Sequence, residues 1–208
     1  PMGVWQVVVF VFFYGKPGPD AGPACFGQAV DLLRMSEPEI ALAGIGRKFQ
    51  KPTVFTEHSV FENLELSAAG SRTVLATLFR PLTDSQRDRI AETLTLIGLA
   101  DVSDRQAGSL SHGQKQWLEI GMLLAQDPQL LLVDEPAAGM TPAERDQTVA
   151  ILRDAAKTRA VIVVEHDMDF VEKLNCKVTV LHEGAVLAEG TLAHVTKNQD
   201  VIDVYLGR

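Results

Sequence analysis

The segment Leu-Ser-His-Gly-Gln at residues 110–114 is followed, after sixteen residues, by Leu-Leu-Val-Asp-Glu-Pro at residues 131–136. In the first segment, Ser111 and Gln114 have the spacing of a capping box, which predicts a helix start whose free backbone N–H groups attract an anion. The second segment is an apolar run that ends in two adjacent carboxylates, as a buried strand of an α/β protein does. Such strand ends hold metal ions and orient water. The two segments therefore predict a nucleotide-hydrolysing site.

Both segments are similar to the signature and Walker B motifs of ATP-binding-cassette (ABC) ATPases. Two further motifs fit by order and spacing. His166 follows the apolar residues 161–164, as the switch histidine does in that family, and Gln50 stands where the family has its Q-loop. The chain most resembles the urea-transporter ATPases, a branch of the branched-chain amino acid importer group, at residues 44–52, at His112 and at residues 138–141.

The resemblance implies a role for each matching residue. Glu135 is expected to polarise the attacking water, and His166 to contact the γ-phosphate. Asp134 and Gln50 are expected to hold Mg²⁺, and Gln50 also to contact the nucleotide. The signature helix of one subunit closes on the ATP of the other, and the residues expected to bind that ATP are Ser111, Gly113 and Gln114. The implied cofactors are ATP and Mg²⁺.

Each of these residues also has a plainer interpretation from the sequence alone. Glu135 is then a carboxylate in a turn, and His166 is a surface or core imidazole. Gln50 becomes an ordinary loop amide, and residues 111–114 become a capped helix start, since Ser-x-x-Gln is a common sequence.

The phosphate-binding loop is missing from the chain. No Gly-x-x-x-x-Gly-Lys-Ser/Thr sequence occurs, although this loop normally holds the β- and γ-phosphates. A gapless alignment with the family puts residues 1–8 on the loop, with Trp5 in place of a glycine and Gln6 in place of the lysine. Each lost charge-assisted hydrogen bond costs about 1.5–3 kcal/mol. We therefore predict poor nucleotide binding by this chain.

Residues 4–14 are mostly valine and aromatic residues, which favours a buried strand over the helix that the family has there. We hypothesise that residues 4–13 replace the central strand that normally precedes the phosphate loop. The alternative is an N-terminus that is truncated, frameshifted or wrongly assigned. On either interpretation, we expect an N-terminally incomplete fold.

The remaining sequence alternates strands and helices around a mostly helical block. Together with the resemblance, this predicts an α/β fold of the P-loop NTPase (ABC ATPase) type, with a mostly parallel sheet flanked by helices and an inserted helical subdomain. We expect a single ABC ATPase domain over residues 1–208, with an α/β core at 1–55 and 127–208 and a helical subdomain with the signature motif at 56–126. Capping boxes predict helix starts at Ser36, Ser59, Thr83, Ser111 and Thr141. Strands are predicted at 45–49 and 160–164, a hairpin at 178–187 and a last helix at 201–206.

Composition narrows the class of protein. The chain is 46% hydrophobic and 22% charged, as is usual for globular proteins. Its net charge of -8 and its lack of a basic run argue against a nucleic-acid partner. Two cysteines provide neither metal-site spacing nor a disulfide framework. No stretch approaches the roughly 18–20 apolar residues that cross a bilayer, so we expect membrane association only through a partner.

The resemblance implies an ATP-hydrolysing, energy-coupling subunit of an ABC importer for a small polar solute such as urea, a related amide or a branched-chain amino acid. The implied partners are a second ABC ATPase subunit in a homodimer or heterodimer, integral membrane permease subunits and, indirectly, a periplasmic solute-binding protein. The chain is then peripheral, on the cytoplasmic face of the inner membrane. The alternative is a catalytically impaired ABC module with a regulatory or assembly role, which the degenerate residues 1–8 favour. The acidic charge disfavours an ABC protein of DNA repair or translation.

Overall fold

The structure is a computed structural model, and it describes residues 6–8, 25–26, 30–31, 34–48, 53–68, 82–182 and 185–206. The strands are β1 (Gln6–Val8), β2 (Cys25–Phe26), β3 (Val30–Asp31), β4 (Ile45–Lys48), β5 (Leu130–Asp134), β6 (Ala160–Val164), β7 (Lys177–His182) and β8 (Ala185–Gly190). The α-helices are α1 (Glu37–Leu42), α2 (Val60–Ser67), α3 (Asp84–Leu96), α4 (His112–Ala125), α5 (Pro142–Ala155), α6 (Met168–Leu174), α7 (Leu192–Val195) and α8 (Gln199–Leu206). Within these ranges, none of the helices has the length and apolar character needed to cross a bilayer.

Six strands form one sheet in the order β4-β5-β6-β1-β7-β8. Neighbouring strands from β4 to β7 are parallel, and β8 pairs antiparallel with β7. β5 and β6 run in register up to Asp134, which lies opposite Val164. The segments that follow these two strands therefore leave the sheet side by side, at the edge where α/β proteins bind ligands. The predicted α/β fold with a mostly parallel sheet is confirmed.

The predicted N-terminal strand is confirmed for Gln6–Val8, which form β1 between β6 and β7. Val7 pairs with Val163 on one side and with Val178 on the other. The other residues of the predicted strand, 4–5 and 9–13, lie outside the described residues. The structure gives Gln6–Val8 an extended strand, in agreement with the consecutive valines. The gapless alignment of residues 1–8 with the phosphate loop stays a prediction.

The five predicted capping boxes are confirmed. Their N-cap residues are Ser36, Ser59, Thr83, Ser111 and Thr141, each with its partner three residues later. The last helix begins at Gln199, two residues before its predicted start. Asn198 explains the difference, because its side-chain oxygen accepts the Asp200 N–H at 2.9 Å, as an N-cap does.

One apolar core extends from the sheet into the helices. Leu131 and Val163 bury one face of β5 and β6, while Leu118 of α4 belongs to the same cluster. Leu64 of α2 and Ile90 of α3 extend this cluster, and both are fully buried. The division into an α/β core and a helical subdomain at 56–126 stays a prediction.

Candidate active site

Asp134 and Glu135 lie where β5 leaves the sheet. The Glu135 N–H donates to the Val164 carbonyl at 2.9 Å, which extends the pairing of β5 and β6 by one residue. Glu135 has a backbone φ of 44°, a left-handed conformation that is strained for a residue other than glycine. Non-glycine residues in this conformation concentrate at functional sites, where surrounding contacts maintain them.

His166 faces Glu135 across the ends of the two strands. Its Nδ1 lies 3.6 Å from Glu135 Oε1, and the side chains are 76% and 33% exposed, respectively. The carboxylate can accept a proton from a water molecule, and the imidazole can donate to an anionic oxygen. The structure therefore brings together the two predicted catalytic residues, with Asp134 directly before Glu135.

The predicted nucleotide-binding residues lie at the start of α4. The Ser111 side chain accepts the Gln114 N–H at 3.2 Å, and Gln114 Oε1 accepts the Ser111 N–H at 3.0 Å. Ser111 Oγ also donates to Glu144 Oε1 of α5 at 3.2 Å. A Cβ at position 113 would lie 2.4 Å from the same oxygen, so a larger residue there requires the Glu144 side chain to move. Hydrogen bonds from Thr141 hold the pKa of Glu144 below its ordinary value, which favours the carboxylate form.

His112 connects the start of α4 to the segment after Glu135. Its Nε2 lies 3.3 Å from the Ala138 carbonyl oxygen and 3.0 Å from Gln116 Nε2. Gln116 Nε2 also donates to the Ala138 carbonyl at 3.4 Å. The helix start is thus attached within the chain to the turn that follows the β5 carboxylates.

Gln50, the predicted nucleotide and metal contact, lies outside the described residues. Lys48 precedes it, and the fully buried Nζ of Lys48 lies 3.7 Å from Glu119 Oε2 of α4. Thr53 follows it and donates to Glu119 Oε1 through its N–H at 3.2 Å and its hydroxyl at 3.0 Å. Burial raises the pKa of Glu119, and the charge of Lys48 opposes that rise. Burial likewise lowers the pKa of Lys48, and Glu119 opposes that change.

Three acidic residues of this region, Glu119, Glu144 and Glu165, were missed by the sequence analysis. Glu165 is a buried carboxylate directly after β6. Its position directly after four apolar residues could have indicated a special role, because a carboxylate at the end of a buried strand is either exposed or needs hydrogen-bond donors. Glu119 gave a similar signal, because Leu118 and Ile120 flank it. Glu144 was predicted only as the capping-box partner of Thr141, and its contact with Ser111 had no local signal.

The carboxylates suit the metal that such a site uses. Mg²⁺ in nucleotide sites is bound through one or two carboxylates and the substrate phosphates. Asp134 supplies a hard oxygen donor of this kind at the end of β5. Among the described residues, no group of three or more His, Cys, Asp or Glu side chains could hold a metal ion.

A sequence model described as "ABC transporter" matches residues 9–138. The chain belongs to the ABC transporter family. Over 217 residues it is 34% identical to the high-affinity branched-chain amino acid transport ATP-binding protein LivG of Salmonella typhimurium, covering 100% of this chain and 84% of that protein. Over 219 residues it is 35% identical to the high-affinity branched-chain amino acid transport ATP-binding protein BraF of Pseudomonas aeruginosa, again covering 100% of this chain and 84% of that protein.

Solved structures of the ABC family agree with the fold. A nucleotide-free ATP-binding cassette from an ABC transporter superposes with a TM-score of 0.76 and 25% identity, covering 99% of this chain and 88% of that chain. The ADP conformation of such a cassette gives a TM-score of 0.74 at 25% identity, covering 99% and 87%. This ABC protein is therefore an ATPase of the family type, and ATP with Mg²⁺ is the ligand pair of its site.

Proposed function

We propose that the chain is the energy-coupling ATPase subunit of an ABC importer for a small polar solute. The observation that carries the proposal is the approach of Glu135 Oε1 to His166 Nδ1, 3.6 Å apart at the ends of adjacent parallel strands in a chain of the ABC family. Glu135 polarises the attacking water, and His166 contacts the γ-phosphate as its charge spreads. Asp134 and Gln50 hold Mg²⁺, which neutralises charge on the phosphates when it is bound.

The proposed assembly is a head-to-tail pair of ABC subunits, in a homodimer or a heterodimer. Ser111, Gly113 and Gln114 of one subunit then meet the nucleotide bound by the other. The anion-attracting start of α4 supports this role, because its backbone N–H groups and helix dipole favour a phosphate. Membrane permease subunits receive the motion on the cytoplasmic face of the inner membrane, and a periplasmic solute-binding protein delivers the solute.

The solute of this importer is proposed from two likenesses. The names of LivG and BraF refer to branched-chain amino acid transport. The residues 44–52 resemble the urea-type branch. We therefore propose branched-chain amino acids, urea or a related amide as the solute class.

A second candidate function is supported by the missing phosphate loop. No Gly-x-x-x-x-Gly-Lys-Ser/Thr sequence occurs in the chain, and residues 1–8 contain no lysine. A module with this defect offers its signature residues to a catalytic partner while it holds no ATP of its own. It then acts as a regulatory or assembly subunit.

Two substitutions separate these functions in the transporter assembled with its permease and partner ATPase subunits. Glu135→Gln removes the base and is expected to lower ATP hydrolysis by about 10²–10⁴-fold if this chain hydrolyses ATP. Ser111→Ala lowers hydrolysis under both functions, since it acts on the partner's nucleotide. Glu172→Gln, an exposed change on α6 with the same loss of charge, is the control. Hydrolysis that survives Glu135→Gln but not Ser111→Ala identifies the regulatory module.

The solute is tested on the same assembly in liposomes. Stimulation of hydrolysis by solute-binding protein loaded with leucine, but not with urea, assigns the importer to branched-chain amino acids. The opposite result assigns it to urea, and stimulation by neither overturns the proposed solute class. A Mg-ATP titration of the isolated chain completes the test, because micromolar binding would contradict the predicted poor affinity.

A further inference from the structure

A buried carboxylate lies between the two segments that carry the predicted catalytic residues. The Glu165 side chain is 2% exposed. Its Oε1 accepts the Ala137 N–H at 2.9 Å. Its Oε2 accepts the His166 N–H at 3.0 Å and the Asp167 N–H at 3.3 Å. One oxygen thus holds the segment after β5, and the other holds the segment after β6.

The two segments meet at the catalytic pair. Ala137 follows Glu135 by two residues, and the Ala138 N–H closes a turn on the Glu135 carbonyl at 3.2 Å. The turn is therefore fixed on one side by its own hydrogen bond and on the other by Glu165. Since His166 comes directly after Glu165, the same carboxylate also fixes the backbone that carries the imidazole. Hydrogen bonds to an ionised acceptor are stronger than neutral ones, and burial protects them from competing water.

We propose that Glu165 is a positioning residue that sets the distance between the Glu135 carboxylate and the His166 imidazole. Its side chain is suited to this because it offers acceptors on two oxygens and donates nothing. Glutamine keeps the shape but turns an NH₂ group towards one set of backbone N–H groups. Aspartate keeps the charge but is one methylene shorter, so it cannot reach both segments from the same backbone position. The effect of Glu165 on ATP hydrolysis rests on the proposed function, whereas its effect on the distance between Glu135 and His166 does not.

The position of the His166 imidazole relative to Glu135 is tested by nuclear magnetic resonance of the His166 ring, in the full chain and without nucleotide. All spectra are recorded at one and the same pH. In the otherwise unchanged protein, Glu135→Gln is expected to shift the His166 ring resonances, because the two side chains lie 3.6 Å apart. In a Glu165→Gln background, the same substitution is expected to shift them by less than half as much. The four proteins are the unchanged chain, each single variant and the double variant. Comparing them as a double-mutant cycle removes the direct effect of Glu165 on the His166 ring resonances.

The control background is Glu172→Gln, which removes one negative charge from the exposed face of α6 and is expected to leave the shift unchanged. An equal shift in the Glu165→Gln and unchanged backgrounds overturns the proposal. If Glu165→Gln does not fold, Glu165→Asp decides the question. A reduced shift in that background supports a carboxylate that must reach both segments, and a full shift refutes it.

Hydrolysis by the assembled transporter gives the functional measurement. Glu165→Gln is expected to lower kcat by about tenfold to hundredfold with an unchanged KM for ATP, because misplaced catalytic groups slow the chemical step. A raised KM with an unchanged kcat overturns a positioning role in catalysis. If the unchanged assembly hydrolyses no ATP at this chain's site, the proposed function fails, while the resonance measurement still decides the position of His166.

Discussion

Replacing Lys48 with methionine tests the buried ion pair between β4 and α4. Methionine keeps an unbranched apolar side chain and removes the charge. The Glu119 side chain is only 5% exposed, and its Oε2 has no hydrogen-bond partner among the described residues. The substitution therefore leaves a buried carboxylate with Thr53 as its hydrogen-bond donor but without its counter-charge. Removing one partner of a buried pair costs about 3–5 kcal/mol, and we expect a loss of this size in the free energy of unfolding at pH 8.

The loss is expected to depend on pH in a definite direction. Burial raises the pKa of Glu119, and removing Lys48 raises it further. A carboxyl group with a raised folded-state pKa adds stability below its unfolded pKa of about 4.3, and this contribution is lost as the pH rises through the folded-state pKa. Lys48→Met is therefore expected to be most harmful at pH 8 and least harmful near pH 5, where Glu119 can bind a proton in place of the lost charge.

Urea unfolding at pH 5 and pH 8 measures both effects. The double variant Lys48→Met with Glu119→Gln removes both charges and is expected to be more stable at pH 8 than Lys48→Met alone. Lys157→Met is the matched control, because Lys157 is 72% exposed and its ion pair with Asp154 lies at the surface. The control is expected to lose less than about 0.5 kcal/mol. A loss below about 1 kcal/mol for Lys48→Met, or an equal loss at both pH values, would refute the reasoning.

Three further substitutions test the packing around the site. Trp117→Phe removes an indole N–H that donates to Thr148 Oγ1 at 2.9 Å, so urea titration is expected to show a loss of about 1 kcal/mol. Gly121→Ala places a Cβ 2.7 Å from the Cδ1 methyl carbon of the buried Ile97. The overpacking costs about 1–3 kcal/mol of folding stability, which outweighs the roughly 1 kcal/mol that alanine gains in helix propensity. We therefore expect a lower Tm, and a raised Tm would contradict this reasoning. Arg145→Met breaks a partly exposed ion pair with Asp167, and its loss of about 0.5–1 kcal/mol should shrink in 1 M salt.

The elements predicted correctly are those whose signals are local in the chain. A capping box lies within four residues, so Ser59 with Glu62 or Thr141 with Glu144 is sufficient to predict a helix start. The order of the strands is different, because it depends on pairings between distant segments. The position of β1 between β6 and β7 came from the resemblance to a known family, and no local pattern in residues 6–8 specifies it.

The site divides in the same way. Asp134 and Glu135 were predicted because they end an apolar run whose strand character is visible in the sequence, whereas His166 was predicted from the resemblance to a known family. Their supporting contacts were not, since each joins residues that are far apart in the chain. Thr53 and Glu119, for example, are separated by 66 positions, and neither has a neighbour in the sequence that indicates the other. A buried charge can be recognised from sequence only when its partner is also known.

The buried charges also connect the elements that carry the described site. Glu119, Asp134 and Glu165 all act electrostatically on Lys48. Glu119 connects Lys48 to α4, and Glu165 connects the segments after β5 and β6. These contacts lie within residues 48–167, so the described half of the site is held together by its own ion pair and hydrogen bonds. Glu135 and His166 are therefore expected to keep their positions without bound Mg-ATP. The His166 resonances test this, because their response to Glu135→Gln is measured without nucleotide.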